Sequence, residues 1–144
     1  MVQFPMIFKV SASSPSGIKS LWSATASGLD AKLAIPPEFE GPGGGFSPED
    51  FYALALTNCF IATFKVVAEK SKLEFQELNV EAELTVDRGE GGKPWMSLIQ
   101  MKIILRGTNN SDRAQQLLEK TSQSCMILNS TKTEKIFEFK VLNS

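Results

Sequence analysis

Cys59 and Cys125 carry the only thiols in a 144-residue chain that contains no histidine. Cys59 lies inside an apolar, helix-like run that opens on Ser47-Pro48-Glu49-Asp50 and continues to Ala68, so a carboxylate-bearing helix start lies upstream of the first sulfur. Sulfur without imidazole points to thiol redox chemistry, in which the thiolate is the reactive form. The same composition excludes other mechanisms. Ser-His-Asp and Cys-His arrangements cannot be built without histidine. Two cysteines supply at most two soft ligands, whereas a structural zinc takes four ligands. No metal and no cofactor are expected, and no phosphate-cradling fingerprint or internal repeat is visible.

The chain is long enough for a real core and short enough to read as one domain over 1–144. Apolar residues at 42% and charged residues at 22% are ordinary globular values. A net charge of −1, with Lys and Arg scattered among Glu and Asp, argues against nucleic acid as a partner, since neutralising phosphates needs a clustered basic surplus. Met1 to Phe8 shows no basic stretch followed by a long apolar one, so no signal peptide is expected. No apolar run approaches the roughly 20 residues that span a bilayer, and no membrane partner is expected. Two cysteines do not make a disulfide framework in a chain this size, and a cytoplasmic setting is the expectation. There, cysteines that matter are catalytic or redox-sensing.

The elements that must hold these thiols follow from pattern. Residues 3–11 and 19–25 are strand-like, with the turn-rich Ser13-Ser14-Pro15-Ser16-Gly17 between them. Leu29 to Ile35 alternates apolar and polar side chains as a half-buried strand does, giving an antiparallel meander over 1–40. Pro36-Pro37 ends it, and Glu40-Gly41-Pro42-Gly43-Gly44-Gly45 is a loop. A helix over 47–70 follows. Ser47 is its N-cap, Pro48 its first helical residue, and Glu49 and Asp50 put negative charge on the positive end of the dipole. Phe51, Leu54, Ala55, Leu56, Phe60, Ile61, Phe64 and Val67 do not form one stripe, so the helix is expected to be buried all round, by a sheet on one side and a second subunit on the other. Residues 73–144 then hold a long hairpin (73–87 and Trp95 to Leu105), a second helix opening at Ser111-Asp112, Cys125 just beyond it, and a last strand from Lys135 to Val141. The class is α+β.

Leu29-Asp30-Ala31-Lys32-Leu33, the Gly-rich loop, Ser47-Pro48-Glu49, Asn58-Cys59-Phe60, and Cys125 with Asn129 resemble the OsmC/Ohr family of organic hydroperoxide reductases. The resemblance covers most of the chain from Leu29 onward and is strongest between Pro36 and Lys70. It implies antiparallel sheets around a long buried central helix, in an intertwined homodimer with two active sites at the interface. By position, the peroxidatic role falls on Cys59, the resolving role on Cys125, and the role of a glutamate that orients a catalytic arginine on Glu49. Glu49 and Cys59 stand ten residues apart on one helix, roughly 15 Å along its axis, so they cannot touch within a subunit. Glu49 must therefore come from the other chain or act through a bridging residue. Two positions depart from the family pattern. Where its arginine belongs, this chain has Gly17-Ile18-Lys19, and the only arginines are Arg88, Arg106 and Arg113. Lys19 is a possible positive partner but lacks the planar fork of arginine. Met126 replaces the usual proline after the second cysteine.

The chemistry implied is a thiol-dependent peroxidase cycle. Cys59 attacks the distal oxygen of an organic hydroperoxide, leaving an alcohol and a sulfenic acid. Cys125 condenses with the sulfenic acid to a disulfide, and an external dithiol reduces it. Phe51, Leu56, Phe60 and Phe64 would form an apolar substrate pocket favouring alkyl or fatty-acid peroxides. Each residue also has a plainer use: a cysteine in an apolar helix as packing, Glu49 as a first-turn carboxylate, Lys19 as a solvated turn lysine, the phenylalanines as core. The alternative for the whole chain is a catalytically weak relative that binds a hydrophobic ligand or senses redox state. A purely structural dimer would require the two sulfurs to lie too far apart to bond, beyond about 7 Å between Cα atoms.

Overall fold

Turn chemistry sets the limits of the first three strands. In the computed structural model, which describes residues 3–143, these are β1 (Val10–Ser13), β2 (Trp22–Ala26) and β3 (Leu29–Leu33). Met1, Val2 and Ser144, on which part of the leader reading and the outer limits of the 1–144 domain fall, lie outside the described residues. β2 and β3 are joined by Ser27 (φ 53°) and Gly28 (φ 75°), both left-handed, the geometry of a two-residue hairpin turn. The three strands form one antiparallel sheet in the order β1-β2-β3, as the meander reading expects. The strand expected over 3–11 starts only at Val10. Pro5, which cannot donate to a ladder, interrupts the stretch before it.

This sheet and the loop after it make up a first compact unit ending at Phe51; the second begins at Tyr52. Among the described residues of the first unit only Leu33, Ala34 and Ser47 are buried, while Phe4, Ile7, Phe8, Val10 and Leu29 are exposed. Phe46 runs beside Leu33 and ties the end of the loop to β3 through Ala34 N–H to the Phe46 carbonyl and Phe46 N–H to the Lys32 carbonyl, both 3.0 Å. Gly41 is required by close approach, since a Cβ there would stand 2.0 Å from the Ile35 carbonyl oxygen. Helix α1 (Pro48–Lys70) starts where the sequence places it. Ser47 Oγ accepts from Asp50 N–H and Asp50 Oδ2 accepts from Ser47 N–H, both at 2.9 Å, a reciprocal cap.

The second unit is a three-stranded sheet carrying helices on its apolar face. β4 (Glu77–Arg88) and β5 (Pro94–Arg106) form the expected antiparallel hairpin, and β6 (Glu134–Leu142) joins β5 in parallel. The parallel pairing follows from the crossover: α2 (Ser111–Ser124) and the short α3 (Met126–Asn129) carry the chain back to the starting end of β5. Alternation on β4 and β5 sends Leu78, Val80, Ala82 and Leu84 and then Ile99, Met101, Ile103 and Leu105 to one face. That face packs with Leu56, Phe60, Phe64 and Ala68 of α1 and Ala114, Leu117 and Leu118 of α2 in one core. Phe60 stands 6.2 Å from both Phe137 and Phe139 on β6, and Phe64 lies 5.4 Å from Phe75. The buried positions of α1 repeat every three or four residues, so within this chain the helix is buried on one face and not all round. Leu54 (41% exposed) and Val66 (53%) stay open. One expectation is corrected here: by length and composition the helix's 23 residues are apolar enough to cross a membrane, a property that core helices share.

Candidate active site

Cys59 sits at the edge of the buried stripe of α1, next to Phe60 and half-buried, with its side chain packed against the core. Cys125 is fully buried at the break between α2 and α3, where it takes an extended backbone (φ −72°, ψ 113°). The break is locally fastened. Asn129 N–H donates to the Cys125 carbonyl and Asn129 Nδ2 to the Gln123 carbonyl, both at 2.9 Å. A helix stop, a cysteine and a new helix start therefore place the second sulfur inside the core beneath α1.

There the two thiols meet. Burial is the main reason that the Cys125 thiol is pushed up from 9.0 to about 11, and the neighbouring Cys59 adds to the rise. Thr63 works the other way and lowers it. Cys125 Sγ also donates to the Thr121 carbonyl at 3.2 Å. Thr63 Oγ1 is 3.9 Å from Cys59 Sγ. Neither cysteine is in a disulfide. The arrangement has one half-buried and one fully buried free thiol.

The other candidate residues lie as follows. Leu56, Phe60 and Phe64 are fully buried core side chains. Phe51 stacks on Phe46 with ring centroids 5.1 Å apart. Glu49 has a buried Oε1 with no hydrogen-bond partner. Lys19 does not supply one: its Nζ donates to the Glu40 carbonyl at 3.3 Å. Arg88 and Arg113 donate to the carbonyls of Gly92 and Ser71, and Arg106 pairs loosely with Glu77 at 3.9 Å. An open groove of about 470 Å³ crosses the solvent face of the second sheet beside Glu81, Gln100 and Glu138, none of which bears a thiol. Thr63 and Thr121 are the site residues that sequence reasoning missed. Thr63 was within reach of it, being four residues after Cys59 and therefore on the same helix face.

Comparison with known proteins follows the same lines. A family model described as OsmC-like protein matches residues 41–140. An organic hydroperoxide resistance protein of Xanthomonas axonopodis pv. citri (strain 306) is 32% identical over 106 residues, 72% of each chain. The uncharacterized protein YmaD of Bacillus subtilis (strain 168) is 28% identical over 124 residues, 83% of each. In fold, the chain resembles the crystal structure of an organic hydroperoxide resistance protein from Elizabethkingia anophelis, with TM-score 0.74 at 21% identity, covering 96% of this chain and 99% of that one.

Proposed function

The chain belongs to the OsmC/Ohr family, and from that premise we propose that it is a thiol-dependent peroxidase reducing organic hydroperoxides through a Cys59/Cys125 dithiol–disulfide cycle. The observation that carries the proposal is that the chain's two free thiols belong to one core as neighbours, Cys59 half-buried and Cys125 fully buried. Relatives named organic hydroperoxide resistance proteins support the substrate class. In the proposed cycle the Cys59 thiolate attacks the distal peroxide oxygen, the O–O bond breaks, and the alkoxide leaves as alcohol after taking a proton. Cys125 then attacks the Cys59 sulfenic acid, expelling the hydroxyl as water with the Cys125 proton. An external dithiol returns both thiols by exchange.

The working form is proposed to be a homodimer, which would cover the open side of α1 and bring a cation to Glu49. The test is a free-thiol titration of denatured protein before and after brief exposure to one equivalent of cumene hydroperoxide. Loss of both thiols, recovered with a dithiol, is the expected result; two intact thiols would sink the peroxidase reading. One observation favours a second reading. With Lys19 engaged at Glu40 and no arginine near position 19, the usual activating charge is missing from this chain. Slow or partial oxidation in the same titration would point to a weak relative acting as a hydrophobic-ligand binding or redox-sensing protein.

A further inference from the structure

Short polar side chains inside a helix ordinarily turn back onto a carbonyl three or four residues earlier. The two that directly precede Cys59 do so: Thr57 Oγ1 donates to the Leu54 carbonyl at 3.1 Å, and Asn58 Nδ2 donates to the same carbonyl at 2.8 Å. Thr63 has the Cys59 carbonyl at the same spacing. Among the described residues, however, its side-chain hydrogen bond is with Cys59 Sγ, at 3.9 Å. Both side chains are half-buried and lie one turn apart on one face of α1. The hydroxyl that faces the reacting sulfur is therefore that of Thr63.

The length of that contact is informative. A hydroxyl meets an oxygen at about 2.7–2.8 Å; at 3.9 Å from the sulfur, Thr63 Oγ1 stands too far for a strong bond to the thiol itself. An oxygen bonded to Cys59 Sγ projects beyond the sulfur and can enter this gap, so the hydroxyl suits the oxidised residue better than the reduced one. We propose that Thr63 is the positioning residue for the oxygen transferred to Cys59, its hydroxyl donating to the oxygen of the sulfenic acid. The inference rests on the peroxidase reading for its oxidant. In the first step the Cys59 thiolate takes the distal oxygen with its hydrogen; the S–O bond forms, the O–O bond breaks, and the alkoxide leaves and takes up a proton. Thr63 then draws electron density away from the sulfur through that oxygen. A sulfur so depleted is a poorer nucleophile toward a second peroxide, the route from sulfenic to sulfinic acid. In that further step the sulfur gains another S–O bond while the second peroxide is reduced to its alcohol. Thr63 itself gains and loses nothing.

The experiment follows the sulfenic acid at Cys59 with the second thiol removed, in Cys125→Ala or Cys125→Ser, whichever keeps its urea midpoint nearer that of the unaltered chain. Excess cumene hydroperoxide is the oxidant. Dimedone trapping counts sulfenic acid, and mass spectrometry of the Cys59 peptide counts sulfinic acid. Adding Thr63→Val is expected to speed the passage to sulfinic acid about fivefold, the size of one hydrogen bond. Thr63→Ser, which keeps the hydroxyl, should restore the slow rate. Alkylation of reduced Cys59 by iodoacetamide reads the site before any oxygen is added, and should be unaltered in Thr63→Val. A packing defect would move alkylation and oxidation together. Equal sulfinic rates with and without the hydroxyl, an equal gain in Thr63→Ser, or a parallel change in alkylation would each overturn the role. If cumene hydroperoxide leaves Cys59 reduced while excess hydrogen peroxide oxidises it, the peroxidase reading fails and Thr63 is judged by the same comparisons with hydrogen peroxide. If neither oxidises Cys59, both proposals fall.

Discussion

Ionising Cys125 in the folded protein should destabilise it, and the size of that effect can be worked from the site. The thiol is fully buried and is raised from 9.0 to about 11, first by desolvation and then by Cys59. A group whose folded pKa is raised contributes stability that is fully present below its unfolded value and is lost as pH rises through the folded one. The window is therefore roughly pH 9 to 11, and the gap corresponds to about 3 kcal/mol. The assay is urea unfolding under reducing conditions at pH 8 and at pH 11, with Cys125→Ala beside the unaltered chain. Lysine and tyrosine titration and the packing lost by the substitution appear at matching pH values and drop out of the comparison. The unaltered chain should lose about 3 kcal/mol more than Cys125→Ala across the window. Because desolvation is the largest cause, most of the excess should survive in Cys59→Ser. Equal alkaline losses in the unaltered chain and Cys125→Ala would refute the burial argument. Disappearance of the excess in Cys59→Ser would instead put the charge of Cys59 ahead of desolvation.

The same asymmetry predicts the order of modification: limiting iodoacetamide at pH 7.5 should label the half-buried Cys59 and spare Cys125, as peptide mass mapping would read, and equal labelling would contradict it. Phe60→Ala removes a fully buried ring that stands against the stacked pair Phe137 and Phe139 and should cost about 3–5 kcal/mol in urea unfolding. A loss below about 1 kcal/mol would mean that the core beneath α1 collapses to fill the space.

Much of the fold was legible because local chemistry and tertiary structure agree. Ser47, Pro48 and Asp50 specify the start of α1 by satisfying its first donors, and the alternation along β4 and β5 fixes which side meets the core. The parallel pairing of β6 with β5 was not legible: Lys135 to Val141 alternates in the same way whichever direction its neighbour runs. The site was legible as two sulfurs but not as an environment. Sequence spacing places Thr63 on the face of Cys59, whereas the burial of Cys125 in the same core depends on how α2 and α3 fold back under α1. Lys19 shows the opposite limit. Its type suited an activating charge, but a free backbone carbonyl at Glu40 lies within reach and holds it.

The one-sided burial of α1 and the orphaned oxygen of Glu49 are different kinds of incompleteness, and they constrain function differently. Exposed Leu54 and Val66 weaken the hydrophobic gain of folding but leave the protein fully hydrogen-bonded there, so cover for them is favourable without being demanded. A buried carboxylate oxygen without a donor is a definite penalty, of order 1–3 kcal/mol or more, that only a specific polar group can remove. Any second copy that packs on α1 through apolar contact alone would satisfy the first and leave the second. A copy that also aims a cation at Glu49 would satisfy both, and would place positive charge at a helix start rather than at the sulfurs 15 Å or so along the axis. Charge at Glu49 can therefore reach Cys59 through a bridging residue or across the proposed interface, from one chain's helix start to the other chain's thiol. On this reasoning the proposed dimer bears on the activation of Cys59, while the pairing of Cys125 with Cys59, which share one compact unit, is a property of the single chain.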